Sequence, residues 1–199
     1  MAFVPGFKYD LFISYAHGDN ESVPPDPGWA AYFEHSLRIT LRQLLGAQPE
    51  IFLDNRKLGG EMDFSNEIRE SLSGSAALLV IASPLYLESV FCRKEREWFL
   101  SEVEKSGGLR IDNRFRIVKV VRLPVRDNRH RLFLRDQLGF EFFEQIADGA
   151  VRYFTIDTAQ FRGAPHGGSA GHCGPAVALH WKRRFWDCPS IYCTGIVEA

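Results

Sequence analysis

The sequence predicts an open α/β sheet whose strands run parallel and are covered by helices. Three observations predict it. From residue 9 to about 123, apolar runs alternate with amphipathic segments in a strand-then-helix rhythm, the pattern of parallel strands joined by right-handed crossovers. One run, AALLVIAS (Ala76–Ser83), is apolar throughout, as a strand covered on both faces should be. The 199 residues, 45% hydrophobic and 25% charged, suit one globular domain with a real core, or one domain and an appendage.

Each element has its own justification, in chain order. YDLFISY (Tyr9–Tyr15) is a short apolar run and the first strand; AHGDNESVPPDPG after it is a loop in which Pro and Gly forbid regular structure. Trp29, Phe33, Leu37, Leu41 and Leu44 recur at helical spacing, and Gly46 is the stop. EIFLD (Glu50–Asp54) is the second strand, NRKLGGEM a loop with paired glycines, and Phe64, Ile68 and Leu72 define a second helix. AALLVIAS is the third strand. A helix from about Glu88 should put Phe91, Cys92, Trp98 and Phe99 on one face. RIVKVVRL (Arg116–Leu123) is a fourth strand. GFEFFEQIADGAVRYFTI reads as two extended runs around the turn pair Asp148-Gly149, a C-terminal β extension. The expected architecture is flavodoxin-like. In such sheets ligands bind beyond the carboxyl ends of the strands, and the loops after Ser14, Asp54 and Ser83 share that edge.

Composition narrows the function classes. A formal net charge of −1 gives no reason to expect nucleic acid or an anionic membrane as a bulk electrostatic partner. No run approaches the ~18 apolar residues of a membrane span, and MAFVPGFKYD lacks the basic-then-apolar pattern of a secretory signal. Of four cysteines only Cys92 lies in the patterned part of the chain, so no disulfide framework is expected there. These features predict a cytoplasmic protein.

The pattern breaks near Gln160. Residues 161–199 are rich in Gly and Pro and hold Cys173, Cys188, Cys193, His172 and His180. These could form a metal site on paper, but no CxxC or HxxxH spacing supports one. The expectation is a domain over 1–160, a poorly ordered tail over 161–199, and no metal.

Glu95 is the residue that asks for an explanation. It lies in the middle of the apolar stripe, one turn from Phe91 and one from Trp98. A carboxylate there loses hydration, which disfavours its charged form; it suits proton transfer or stabilisation of a cationic centre. It reads otherwise as a side chain reaching solvent at the helix edge or pairing with an arginine.

Three ordered stretches, YDLFISYAHGD (Tyr9–Asp19), IFLDNRKLGG (Ile51–Gly60) and SPLYLESVFCRKE (Ser83–Glu95), together resemble the Toll/interleukin-1 receptor (TIR) domain family, bacterial type. The first is similar to the family's opening strand, the second to its second strand and BB loop. The third is similar to its S-x-x-Y-x-x-S-x-W-C-x-x-E signature, with Ser83, Tyr86, Ser89, Cys92 and Glu95 in register and Phe91 in place of Trp. The resemblance covers residues 8 to 146.

Many members of that family cleave NAD+, and a glutamate at the place of Glu95 is their catalytic residue. The resemblance therefore implies NAD+ as substrate, no other cofactor, and hydrolysis of the nicotinamide–ribose bond to nicotinamide and linear or cyclic ADP-ribose, in bacterial defence or as an effector. Ser14, Tyr15, Ala16, His17, Asp54, Leu58, Ser83 and Phe91 would line the substrate site. His17 reads equally as an ordinary loop histidine, Asp54 as bonding its own turn, and Ser83 and Ser89 as helix caps. Lys57, Leu58, Gly59 and Gly60 of the BB loop would complete a neighbour's site when domains stack head to tail, so self-association, with or without an activating partner protein, is the implied trigger.

The alternative within the same resemblance is a non-enzymatic module that signals by homotypic binding; Glu95 argues against it. A phosphorylation-type receiver domain needs clustered acids after the first strand, where this chain has Ser14-Tyr15. A dinucleotide-binding oxidoreductase needs G-x-G-x-x-G there, and the chain has none at that place.

Overall fold

The structure, a computed structural model, describes residues 2–21, 28–53, 64–111, 114–125, 139–145 and 150–153. Its elements are β1 (Tyr9–Ser14), a 3-10 turn (His17–Asn20), α1 (Trp29–Leu45), β2 (Ile51–Leu53), α2 (Phe64–Ser73) and β3 (Ser75–Ala82). Next come α3 (Pro84–Glu88), α4 (Val90–Lys105), β4 (Arg110–Ile111), β5 (Arg114–Phe115), β6 (Ile117–Val121), β7 (Gly139–Glu141), β8 (Phe143–Gln145) and β9 (Val151–Tyr153).

Five strands form one parallel sheet in the order β2-β1-β3-β6-β7. Alternation along β1 decides what each face holds. Leu11 and Ile13 face α1 with Phe33, Leu37 and Leu41, while Phe12 faces α2 and α4 with Ile68, Leu72, Phe99 and Val103. All eight residues of β3 are buried, as its continuous apolar run predicts. The order reverses between β1 and β3. Ser14, at the carboxyl end of β1, pairs with Val80 near that of β3, so the loops leaving both strands emerge together.

Local chemistry sets the helix ends. Gly46 closes α1 in the left-handed region at φ 71°, its N–H reaching Arg42 O at 3.0 Å. The start of α1 is capped from a distance. Gly28, the residue before the helix, has no side chain to offer; instead Asn20 Oδ1 accepts from Ala30 N at 2.8 Å and Ala31 N at 3.2 Å. Gly28 sits at φ 89°, and a Cβ there would meet Asn20 O at 2.2 Å, so only glycine allows this approach. Asn20→Ala is expected to cost about 1–2 kcal/mol, read as a lower midpoint in urea with an unchanged slope.

Several expectations need correcting. The loop after β1 is not irregular from its first residue: His17–Asn20 form a 3-10 turn, ahead of the prolines. The helix expected from about Glu88 is α4, beginning at Val90, but a short helix not expected, α3, precedes it; the two meet at Ser89, whose N–H closes α3 on Leu85 O while its Oγ accepts from Cys92 N to open α4. Phe91 is not on the buried face. Cys92, Glu95, Phe99 and Val103 form that stripe, and Phe91, about 100° round the helix from Cys92, is 43% exposed. The run after Gly139 holds one strand more than the expected hairpin, whose two arms are β8 and β9. β7 leaves it to become the fifth parallel strand beside β6, while β8 and β9 pair antiparallel. Phe142 divides them, buried against Trp29 and Phe33. Strands β4 and β5 form a small antiparallel pair that no periodicity announced. Asp54, Lys57, Leu58, Gly59, Gly60, the turn Asp148-Gly149 and the tail 161–199 lie outside the described residues, as does the boundary drawn at 160.

Among the described residues no helix is long and apolar enough to cross a membrane.

Candidate functional site

The site is built where β1, the 3-10 turn, α3 and α4 meet at the carboxyl edge of the sheet. β1 delivers Ser14 to that edge, 1% exposed, with Tyr15 and Ala16 immediately beyond it. α4 runs past, and its buried stripe places Glu95 one turn after Cys92. Glu95 is 7% exposed. Ser14 donates its hydroxyl to Glu95 Oε2 at 2.6 Å, across 81 residues of sequence. This is a short bond.

Ser14 Oγ also lies 3.1 Å from the Tyr86 hydroxyl. Its one proton is committed to Glu95, so Tyr86 is the donor in that pair. Burial first, with Cys92 and Glu95 close by, pushes the Tyr86 phenol well above its ordinary range, against the Ser14 bond and Arg96. It stays protonated. Tyr86, Ser14 and Glu95 thus form one directed chain from α3 through β1 to α4.

A pocket of about 230 Å³ opens over the carboxylate. Tyr15, Ala16, His17 and Gly18 form one wall; Leu85, Ser89, Phe91 and Cys92 form the other, with Glu95 between. Leu85 and Phe91 stand at the mouth, 52% and 43% exposed. The lining is mainly apolar with few polar groups, the character of a small-molecule site. Cys92 carries no nucleophilic chemistry here: burial first, then the Glu95 carboxylate, push its thiol up to about 12. Among the described residues, no group of three or more His, Cys, Asp or Glu side chains could hold a metal ion.

A second polar cluster holds the wall in place. Asp19, 5% exposed, accepts the Ser83 hydroxyl on Oδ2. Arg122, just past β6, donates to Asp19 O and lies 3.7 Å from Asp19 Oδ1, its guanidinium 5.3 Å from the Trp29 ring. The 3-10 turn is therefore pinned to the ends of β3 and β6 at once. Burial raises the Asp19 carboxyl above 3.8, against the lowering effects of Ser83 and Arg122. The native state consequently holds this proton more tightly than the unfolded chain does. Asp19's contribution to stability is full below 3.8 and is lost as pH rises through its raised native value. Asp19→Asn does not titrate, so wild type is expected to gain melting temperature relative to it as pH falls from about 7 toward 4. Scanning both proteins across that range checks the sign.

The sequence-derived residues divide accordingly. Tyr15, Ala16, His17, Phe91 and Glu95 line one pocket, and Ser14 lies beneath it on the carboxylate. Ser83 is elsewhere. It caps α3, accepting from Tyr86 N at 3.0 Å, and binds Asp19. Asp54 and Leu58 lie outside the described residues. Asp19, Asn20, Leu85 and Arg122 were not anticipated. Asp19 and Asn20 stand in a stretch read as irregular loop, and Asp19's partners are 64 and 103 residues away.

No protein-family model matches the sequence, and a search of curated proteins finds no match. Among solved structures, the chain is similar to the TIR domain of the Toll-related receptor TRR-2 from Hydra magnipapillata, at 18% identity and a TM-score of 0.42, over 66% of this chain and 84% of that one. It is also similar to the TIR domains of the activated Roq1 resistosome that directly recognises the pathogen effector XopQ, at 20% identity and a TM-score of 0.38, over 57% of each chain.

Proposed function

We propose that this chain is a TIR domain of the enzymatic kind, an NAD+ glycohydrolase in which Glu95 is the catalytic residue. One observation carries the reading: a carboxylate placed in the apolar stripe of α4, 7% exposed, held by Ser14 and set in the wall of a pocket. The three motifs shared with the TIR family point the same way. A purely structural glutamate has no need of an adjoining pocket.

The chemistry asks little more of the protein. Heterolysis of the nicotinamide–ribose bond leaves the bonding pair on nicotinamide and positive charge on the ribose, an oxocarbenium-like state. A carboxylate beside the sugar stabilises that charge, most effectively where apolar walls exclude water. Nicotinamide is cationic before it leaves, so no general acid has to protonate it, and one glutamate suffices. Water then adds to the ribose and releases a proton, giving nicotinamide and ADP-ribose; attack by the adenine of the same molecule gives a cyclic product. A pocket of about 230 Å³ has room for the nicotinamide–ribose end of the substrate, with the rest of the dinucleotide extending beyond it. Tyr15, Ala16, His17 and Phe91 would contact that end.

Self-association belongs to the same proposal, with Lys57, Leu58, Gly59 and Gly60 as the loop a neighbour would contribute. The second reading, a module that binds other TIR domains without chemistry, has one observation in its favour: Leu85, Val90 and Phe91 are 52%, 49% and 43% exposed, and such apolar surface also suits a protein partner. Incubating the purified protein with NAD+ and separating the products by chromatography distinguishes the two. Nicotinamide release supports the enzyme, and none at any protein concentration supports the module.

A further inference from the structure

We propose that Tyr86 and Ser14 are positioning residues that hold the Glu95 carboxylate ionised and aimed into the pocket, through the directed chain Tyr86 O–H to Ser14 Oγ–H to Glu95 Oε2. For the reaction this rests on the reading of Glu95 as the catalytic residue; for the carboxylate's ionisation it stands by itself.

The geometry gives each member one task. A glutamate side chain has three torsions, and in the wall of an open pocket the apolar neighbours fix its stem without fixing the plane of its carboxylate. The 2.6 Å bond from Ser14 holds Oε2 from the β1 side and restrains that plane. Ser14 cannot turn its proton elsewhere without breaking the second bond, because Tyr86 already donates to its oxygen at 3.1 Å. Tyr86 is in turn immobile: 1% exposed, with its N–H bonded to the Ser83 cap. The rigid end of the chain is thus α3, the short helix that Pro84 and Ser83 begin.

The chain also works on charge. A hydrogen bond donated to a carboxylate favours its ionised form, opposing the desolvation that its surroundings impose. Among the described residues, titratable groups facing Glu95 include Cys92 one turn earlier on α4, whose thiol stays protonated, and His17 across the pocket. Asp19 of the 3-10 turn acts on Cys92, and Arg96 acts on Tyr86. A directed donor chain is what an electrostatic stabiliser needs: a carboxylate that is charged before substrate arrives and reorients little as charge develops.

Two measurements on the full chain test this. The first uses carbon-13 NMR to track the Glu95 side-chain carboxyl through an acid titration in wild type, Ser14→Ala and Tyr86→Phe, the resonance being assigned by its loss in Glu95→Gln. The ionisation midpoint should move to higher pH in Ser14→Ala and by less in Tyr86→Phe, with both variants retaining the wild-type fold by circular dichroism. The second is the pH profile of NAD+ cleavage. Here kcat should fall about tenfold to a hundredfold in Ser14→Ala with KM little changed, and the acid limb should shift to higher pH; Ser14→Thr, which keeps the hydroxyl, should restore both. A midpoint identical in all three proteins overturns the proposal whatever the activity does. A wild type that cleaves no NAD+ overturns the catalytic reading alone, since the midpoint still decides what the chain does.

Discussion

Glu95→Gln is expected to lower NAD+ turnover roughly a thousandfold, about the loss expected on removal of one preorganised electrostatic group, while the melting temperature stays close to that of wild type. Glutamine matches the shape of glutamate and keeps an oxygen to accept the Ser14 hydroxyl, so the buried stripe of α4 is undisturbed. What it lacks is the charge that, in the proposed reaction, meets the ribose as the bond breaks. Glu95→Ala should be equally inactive and no less stable, because it removes a carboxylate from a site that is 7% exposed and costs free energy to desolvate. Turnover and thermal unfolding of both variants, measured side by side, separate this from a structural role. In a structural role, loss of Glu95 would lower the melting temperature and the activity together.

The largest effect on stability is expected at Arg116, far from the pocket. Its side chain is 2% exposed. Nε donates to Ala76 O at 2.8 Å, Nη2 to Ser75 O at 3.3 Å, and Nη1 to Ser106 Oγ at 2.8 Å. The guanidinium lies 5.2 Å from the Phe7 ring and 5.5 Å from that of Phe99. It therefore ties the start of β3 to the end of α4 and the N-terminal segment. Arg116→Ala empties that space and strips two buried carbonyls of their donor, each a recognised source of large losses. The sum should reach about 3–5 kcal/mol, or roughly 10 °C in melting temperature for a domain of this size. Arg116→Lys, with a single ammonium for three partners, should recover only part. Thermal unfolding of both variants checks the order. NAD+ cleavage below the melting point should be unaffected, since among the described residues none of the Arg116 partners lines the pocket.

How far the sequence revealed this molecule depends on the range of the interactions involved. The parallel sheet was legible because burial on both faces writes itself into consecutive residues: β3 is buried at every position, and α1 keeps Phe33, Leu37 and Leu41 in register. Glu95 was legible for the same reason, as a charge standing in an apolar stripe. Phe91 was misread because its hydrophobicity suggested the buried face, whereas its place about 100° round α4 from Cys92 leaves it exposed beside the pocket. The 3-10 turn escaped notice because what stabilises it comes from elsewhere in the chain: Ser83 and Arg122 on Asp19, and Asn20 on the first turn of α1. Arg116 gave no signal either. An arginine at the start of a strand reads as a solvent-facing charge until the carbonyls of β3 are seen around it. The Tyr86–Ser14–Glu95 chain joins three of the motif positions, but spacing could not say that they touch.

The pocket connects these observations. Its wall on the β1 side is anchored by Asp19 and Asn20, its opposite wall by the two serine caps of α3 and α4, and the Glu95 carboxylate by Ser14. The fold thus fixes the surroundings of Glu95 from several separate elements, as a preorganised site requires.

The most direct test of Glu95 as the centre of an NAD+-cleaving site is NAD+ consumption by the purified protein across a concentration series, alone and crowded on beads, with Glu95→Gln beside it. Nicotinamide release is expected to steepen as the protein becomes more concentrated and to disappear in the variant. Consumption that survives in Glu95→Gln, or none from wild type even when crowded, would contradict that assignment.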